Sequence, residues 1–230
     1  GRAGSYPRAS AQTQRPQVCL MDQDQIELCA GLRVSRETMD KLRAFEQLVK
    51  KWTKGINLVS KATVDHLWER HIIDSAQIYT IAPSIWQRWA DLGSGGGFPG
   101  IVIAVIAQEK KPQAQVVLVE SDQRKAAFLR TAARELDLPS QVICSRIEAI
   151  EQLNADVVSA RALADLSQLL SLSVRHLRPQ GCAIFPKGAR ATDEIAIARL
   201  DWHFALEEIQ SITEQQARIL KIEGISRARL

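Results

Sequence analysis

Residues 86–122 read WQRWADLGSGGGFPGIVIAVIAQEKKPQAQVVLVESD. A first strand predicted over 86–92 runs into a glycine cluster, a helix is predicted over 98–108, and the β-branched run QVVLVE at 115–120 follows. Strand, tight turn, helix, strand is how an α/β unit begins. Strands that are apolar throughout, rather than alternating, are those covered on both faces, which a parallel sheet with helices on each side demands.

The same alternation continues downstream. A helix is predicted over 122–136, strands over 140–145 and 155–160, and a helix over 165–177 with Leu166, Leu169, Leu170, Val174 and Leu177 on one face. A strand at 181–186 and a helix at 190–200 come next, and a hairpin of 204–213 with 216–222 would close the sheet edge. The predicted class is α/β, a doubly wound, mostly parallel sheet of Rossmann-like type, over residues 85–223, with a frayed tail at 224–230.

Upstream the pattern is helical. Met39, Leu42, Phe45, Leu48 or Val49, and Trp52 recur at three- and four-residue intervals, with Ser35 as N-cap and Gly55 as stop. A second helix is predicted over 63–79. Residues 22–84 therefore read as an N-terminal helical cap. Residues 1–21 carry Arg2, Arg8 and Arg15, no acid, and many Ser, Gln, Ala and Pro, and read as a disordered leader. This leader is either the remnant of an organelle transit peptide or an upstream extension of a start at Met21.

Composition excludes several classes. The 230 residues are 46% apolar and 24% charged, enough for a core. The longest apolar run, 101–107, is far shorter than the roughly 20 residues of a membrane span, so no membrane association is expected. Cys19, Cys29, Cys144 and Cys182 lack metal-ligand spacing, which argues against a zinc site or a disulfide framework and for a reducing, cytoplasmic compartment. Lys+Arg number 30 against 26 Asp+Glu, a net charge of +4 that hints weakly at an anionic partner. Its distribution says more: Lys41, Arg43, Lys50, Lys51, Lys54 and Lys61 face a single acid, Glu46, between 41 and 61.

The glycine turn carries the chemistry. Glycines let the backbone approach a ligand, and the following helix offers unpaired N–H groups. Gly95-x-Gly97-x-x-Gly100 matches the dinucleotide fingerprint, and Glu120 stands where a ribose-binding acid would sit. Two details favour S-adenosylmethionine over a nicotinamide cofactor. Asp91 would attract the ammonium and sulfonium of that cofactor but sit poorly beside a pyrophosphate, and Pro99 removes an N–H that a phosphate would use. A glycine turn with no ligand is the bland alternative.

Glu120 ends the second strand, at the sheet edge where open α/β folds bind ligands, and its carboxylate can accept from both ribose hydroxyls. Ile147 and Glu148 follow the third strand, where an adenine pocket would form. Arg161 ends the fourth strand and Lys187 the fifth, so both basic groups belong to the same edge. Arg161 would hold the cofactor carboxylate or a substrate phosphate, or else bond helix-end carbonyls.

The run ADLGSGGGFPGIVIAV, with WERHIIDS upstream and ESDQRKAAFLR, SRIEAI, SARALADLSQL and FPKG downstream, resembles the glucose-inhibited division protein B family, the small-subunit rRNA guanine-N7 methyltransferases called RsmG. The resemblance spans residues 37–222. It implies a class I S-adenosylmethionine-dependent methyltransferase fold with an N-terminal helical cap, acting on a guanine of 16S rRNA, free or in a small ribosomal subunit or assembly intermediate. By position, it implies cofactor binding by Gly93 and Phe98, by Glu120 with Ser121 and Asp122, by Ile147 and Glu148, and by Arg161. Gly96 departs from the Ala or Pro common there. A monomer without a metal is expected.

Guanine N7 has an in-plane lone pair and no proton, so methylation there needs no general base, and catalysis would rest on alignment and electrostatics. No catalytic residue is therefore assigned beyond the positioning candidates Arg161, Lys187, Arg70 and His71. Arg70 and Asp74 would otherwise form an i,i+4 helix pair, and His71 a satisfied core histidine. A small-molecule methyltransferase and a nicotinamide-dependent oxidoreductase remain alternatives.

Overall fold

The computed structural model describes residues 25–29 and 31–228. The predicted leader, 1–21, lies outside the described residues. Nine strands and six helices are assigned among those described: β1 (Gln25–Cys29), β2 (Leu32–Ser35), α1 (Arg36–Thr53), α2 (Asp74–Ile81), β3 (Arg88–Leu92), α3 (Gly100–Lys110), β4 (Gln115–Glu120), α4 (Gln123–Glu135), β5 (Gln141–Cys144), β6 (Ala155–Ser159), α5 (Leu166–His176), β7 (Leu177–Lys187), α6 (Ala191–Asp201), β8 (Trp202–Gln210) and β9 (Arg218–Arg227). None of these helices is long and apolar enough to cross a membrane.

The main sheet has the order β5-β4-β3-β6-β7-β9-β8. Strands β3 to β7 pair in parallel, whereas β9 runs antiparallel to both β7 and β8. Strand β3 lies between β4 and β6, so the chain winds outward in both directions from it. The crevice beyond its carboxyl end is the topological switch point where such sheets bind ligands.

Each face of the sheet carries its own core. On one face Leu42, Phe45 and Val49 of α1 meet Ile101, Ile103 and Ile106 of α3 and Phe128 of α4. Helix α3 is buried from Gly100 through Ala107 because the N-terminal elements cover one side of it and the sheet the other. The described residues of the segment 22–84 thus add a layer to the main domain's core. On the other face Leu166, Leu169 and Leu170 of α5 pack with Phe185 and Leu220.

Ser35 caps α1, its Oγ accepting from Thr38 N at 3.1 Å, as its sequence position predicts. The Ser35 N–H also donates to Glu109 of α3 at 2.9 Å, which fixes the two helices at their ends.

Four sequence expectations are corrected. The N-terminal segment is not wholly helical: β1 and β2 form a hairpin turning at Gly31, where φ is +79°, and bury Leu28 and Val34. The helix predicted over 63–79 is broken into a 3-10 turn (Lys61–Thr63), a π-helical turn (Trp68–Ile73) and α2. Such wide turns often mark functional sites, and this one carries Arg70 and His71. Helix α3 starts at Gly100 rather than at 98, beyond the cis Phe98–Pro99 peptide. Residues 224–227 are strand rather than frayed tail. Gly224, at φ +61°, sits in a bulge opposite His203 and Ala205, and Arg227 stacks over Trp202 at 4.0 Å.

Candidate active site

The glycine turn leaves β3 with Gly93, Gly95 and Gly97 at φ +67°, +54° and +86°, a conformation that side chains with a Cβ resist. A Cβ on Gly96 would come within 2.8 Å of the Leu58 carbonyl oxygen, so the loop after α1 rests directly on the turn.

Asp91 does not face a ligand. Its carboxylate is fully buried beneath the turn, accepting from Ser159 Oγ at 2.7 Å and from Gly100 N at 3.2 Å, and Ser159 Oγ in turn accepts from the Trp89 indole. Burial pushes its pKa up to about 6, against those hydrogen bonds and the nearby Arg161. The expected direct attraction for a cofactor ammonium is replaced by a structural role, bracing the turn on β6.

Glu120 is where the sequence puts it. Its Oε2 accepts from Gly95 N at 2.8 Å and its Oε1 from Asp122 N at 2.8 Å, which leaves further lone pairs on both oxygens toward the cleft. Asp122 itself lines neither cleft cavity: its Oδ1 caps α4 by accepting from Arg124 N and Lys125 N.

Two cavities flank Gly93. One, of about 290 Å³, is bounded by Leu58, Gly93, Ser94, Gly95, Phe98, Glu120 and Arg161. The other, of about 220 Å³, is bounded by Gly93, Ser121, Ile147, Glu148 and Gln168 among others. Leu163 lines both and lies over Gly93, where a Cβ would meet its Cδ1 at 2.7 Å. A glycine cradle, a carboxylate beside it and an apolar wall at Ile147 are the groups that S-adenosylmethionine needs, and they fit that cofactor.

A third cavity, of about 720 Å³, opens beyond Arg161 and Leu163 between the β6–α5 loop, the end of β7 and the β8–β9 loop. Arg70, Arg161, Lys187, Arg190 and Arg218 line it, with Asp74, Asp165, Glu194 and Glu214 among them. Its size suits a nucleobase with part of its backbone.

Arg161 stands at the junction. Its Nη2 donates to His71 Nδ1 at 2.6 Å, its Nη1 lies 3.6 Å from Asp74 and its guanidinium carbon 5.2 Å from the centre of the Phe98 ring. Because arginine only donates, His71 accepts at Nδ1 and keeps its proton on Nε2, 2.9 Å from Thr63 Oγ1. Burial, then Arg161 and Arg70, push the His71 pKa down to about 3, so the imidazole is neutral. His71 also packs against Phe98, the ring centres 5.0 Å apart.

The i,i+4 pair of Arg70 with Asp74, the alternative to a role in the site, does not form. Arg70 pairs instead with Glu214 of the β8–β9 loop, while Asp74 takes Arg161, Gln77 and Thr213. Lys187 lines the large cavity, but its ammonium is engaged with the Ala164 carbonyl at 2.8 Å and Glu194 at 2.7 Å, holding the β6–α5 loop to α6. Leu58, Leu163, Glu194 and Glu214 were not singled out from sequence. Leu58 and Glu214 lie on loops outside any motif, Glu194 is one of two acids in the first turn of α6, and Leu163, although inside the SARALADLSQL run, comes to lie over Gly93 only through the fold.

The family model described as rRNA small subunit methyltransferase G matches residues 38–222. The chain belongs to this family. Relatives of the rRNA small subunit methyltransferase G family include the Ribosomal RNA small subunit methyltransferase G of Ruegeria pomeroyi, 53% identical over 85% of this chain and 96% of its own length. Another, from Cereibacter sphaeroides, is 50% identical over 88% of this chain and 98% of its own length. Among solved structures, the O-methyltransferase from Bacillus cereus in complex with SAH superposes with a TM-score of 0.54 at 12% identity, covering 80% of this chain and 90% of its own. That likeness shows the methyltransferase fold that the rRNA small subunit methyltransferase G family motifs imply.

Proposed function

We propose that the chain transfers a methyl group from S-adenosylmethionine to N7 of a guanine in small-subunit (16S) ribosomal RNA. The observation that carries this reading is the meeting of the glycine-turn cleft and the larger, arginine-lined cavity at Arg161 and Leu163, in a chain of this family. The cofactor would be held by Gly93, Phe98, Glu120, Ser121, Ile147 and Glu148, with Asp122 acting through its N–H to Glu120. When bound, it supplies an electrophilic methyl on a sulfonium.

The chain's own task is alignment and field. N7 carries no proton, so no residue needs to remove one. That suits a junction where His71 has its Nδ1 lone pair occupied by Arg161 and Asp91 is sealed beneath the turn. Arg161, fixed by His71 and Asp74, presents its remaining guanidinium edge where the two cavities join, positioned for a substrate phosphate or the base O6. His71 is a positioning residue that acts through Arg161.

Phosphate contacts would come from the end of α1. Among the described residues Lys51, Lys54 and Lys61 are exposed and have no ion-pair partner, whereas Lys41 and Lys50 are tied to Glu37 and Glu46. The same helix leads into the loop whose Leu58 rests on the glycine turn. This basic face is what favours RNA over a small-molecule substrate. The reading extends to a cytoplasmic monomer that acts on free rRNA or an assembling small subunit.

Incubation with methyl-labelled S-adenosylmethionine and purified small-subunit RNA, small-subunit particles, large-subunit RNA and tRNA tests it. Label confined to the small-subunit species is expected. Label in none of them, from a chain that binds the cofactor, overturns it.

A further inference from the structure

Four carboxylates line the 720 Å³ cavity, and three are committed to the fold. Asp74 Oδ1 accepts from Gln77 Nε2 and Thr213 Oγ1, both at 2.8 Å, and its Oδ2 faces Arg161. Asp165 caps α5, accepting from Gln168 N at 2.9 Å. Glu194 accepts from Leu166 N and Lys187 Nζ. Glu214 differs: it accepts from the Gln216 N–H of its own loop, and its side-chain partner is Arg70, an exposed side chain able to swing away, so that lone pairs are freed without breaking the loop.

The loop that carries Glu214 is nonetheless fixed. Buried Gln77 accepts from Ile212 N at 3.0 Å and donates to Ser211 Oγ at 3.2 Å, Asp74 accepts from Thr213 Oγ1, and the two N–H groups of the Gln210 amide are shared among the loop carbonyls of Ser211, Glu214, Gln215 and Ala217. A carboxylate on a held backbone, with a partner that can leave, is a preorganised acceptor for a ligand.

We propose that Glu214 reads the target base, its two oxygens accepting from N1–H and the 2-amino group of guanine while Arg70 is released toward the RNA backbone. This rests on the proposed guanine-N7 reaction. In guanine the N1 and 2-amino edge lies across the ring from N7, with O6 between them. A base with N7 at the Arg161–Leu163 junction therefore turns its Watson–Crick edge to the cavity's interior. Adenine offers no donor at N1 and no 2-amino group, so the same carboxylate rejects it.

The test uses small-subunit RNA carrying inosine, which lacks the 2-amino group, in place of the methylated guanosine. Wild type is expected to favour guanosine in kcat/KM by about 10- to 100-fold, the effect of losing one hydrogen bond to a charged group. Glu214→Gln should bring that ratio close to one by slowing the guanosine substrate, with cofactor binding unchanged as a check on folding. Arg70→Ala should keep the preference, since Glu214 is then still available. An unaltered guanosine-to-inosine ratio in Glu214→Gln, or a collapsed ratio in Arg70→Ala, overturns the assignment. Absence of N7-methylguanosine from the wild-type reaction would instead overturn the activity on which it rests.

Discussion

Arg161, at the end of β6, donates to Nδ1 of His71 in the π-helical turn at 2.6 Å, joining residues that lie far apart in the chain. This bond sets the tautomer of one and the aim of the other. The N-terminal layer therefore helps shape the junction of the two cavities as well as covering the sheet.

Replacing Arg161 tests that aim. Arg161→Lys keeps the charge but cannot serve His71, Asp74 and a substrate group at once, so kcat/KM for methyl transfer is expected to fall on the order of 100-fold. Steady-state rates with a cofactor titration separate this from lost cofactor binding. A change of less than about threefold would contradict the junction role.

Stability should depend on pH through His71. Its pKa is about 3 in the folded chain against an ordinary 6.5, so between those values the unfolded chain binds a proton that the folded one refuses. The contribution is complete above pH 6.5 and lost as pH falls toward 3, by at most about 1.4 kcal/mol per unit. Asp91, raised from 3.8 to about 6, works the other way and loses its contribution as pH rises through about 6. His71→Gln should therefore lose less stability than wild type between pH 7 and pH 5 in urea unfolding. Equal losses would remove His71 as the cause.

Glu120→Ala should weaken S-adenosylmethionine by about 1–3 kcal/mol, since it removes a charged acceptor and leaves Gly95 N and Asp122 N without their partner. Calorimetric titration measures it. Equal affinities would contradict the ribose assignment.

Leu163 separates the two cavities that the cofactor would span. Displacing it costs binding free energy, so Leu163→Ala should tighten cofactor binding by about two- to tenfold. Weaker binding would mean that Leu163 holds the cofactor rather than yields to it.

The basic face predicts a salt effect. Lys51→Glu with Lys54→Glu should lower RNA affinity and flatten its dependence on salt concentration, with S-adenosylmethionine affinity unchanged. Filter binding across a salt series reads both, and an unaltered slope would move the RNA path elsewhere.

The parallel core of the fold was legible because β4 and β6 are buried on both faces, so that 116–119 and 157–158 read as apolar without alternation, and because the glycine turn marks the end of β3. Strand ends made Glu120 and Arg161 legible too. Three features were not. The β1–β2 hairpin is short and abuts a strongly periodic helix; the π-helical turn keeps helical spacing while changing pitch; Gly224 reads as a break although it sits in a bulge. Leu163 over Gly93 and Glu214 beside Arg70 depend on distant segments meeting, which local pattern does not encode.

What the reaction turns on is the atom that receives the methyl group. Nucleoside mass analysis of small-subunit RNA after reaction, combined with strand cleavage specific for N7-methylguanine, measures it directly. N7-methylguanosine is expected at a single guanosine, and is expected to be lost with Glu120→Ala at limiting cofactor. Methylation on a ribose or on any other base nitrogen, with none at N7, would contradict it.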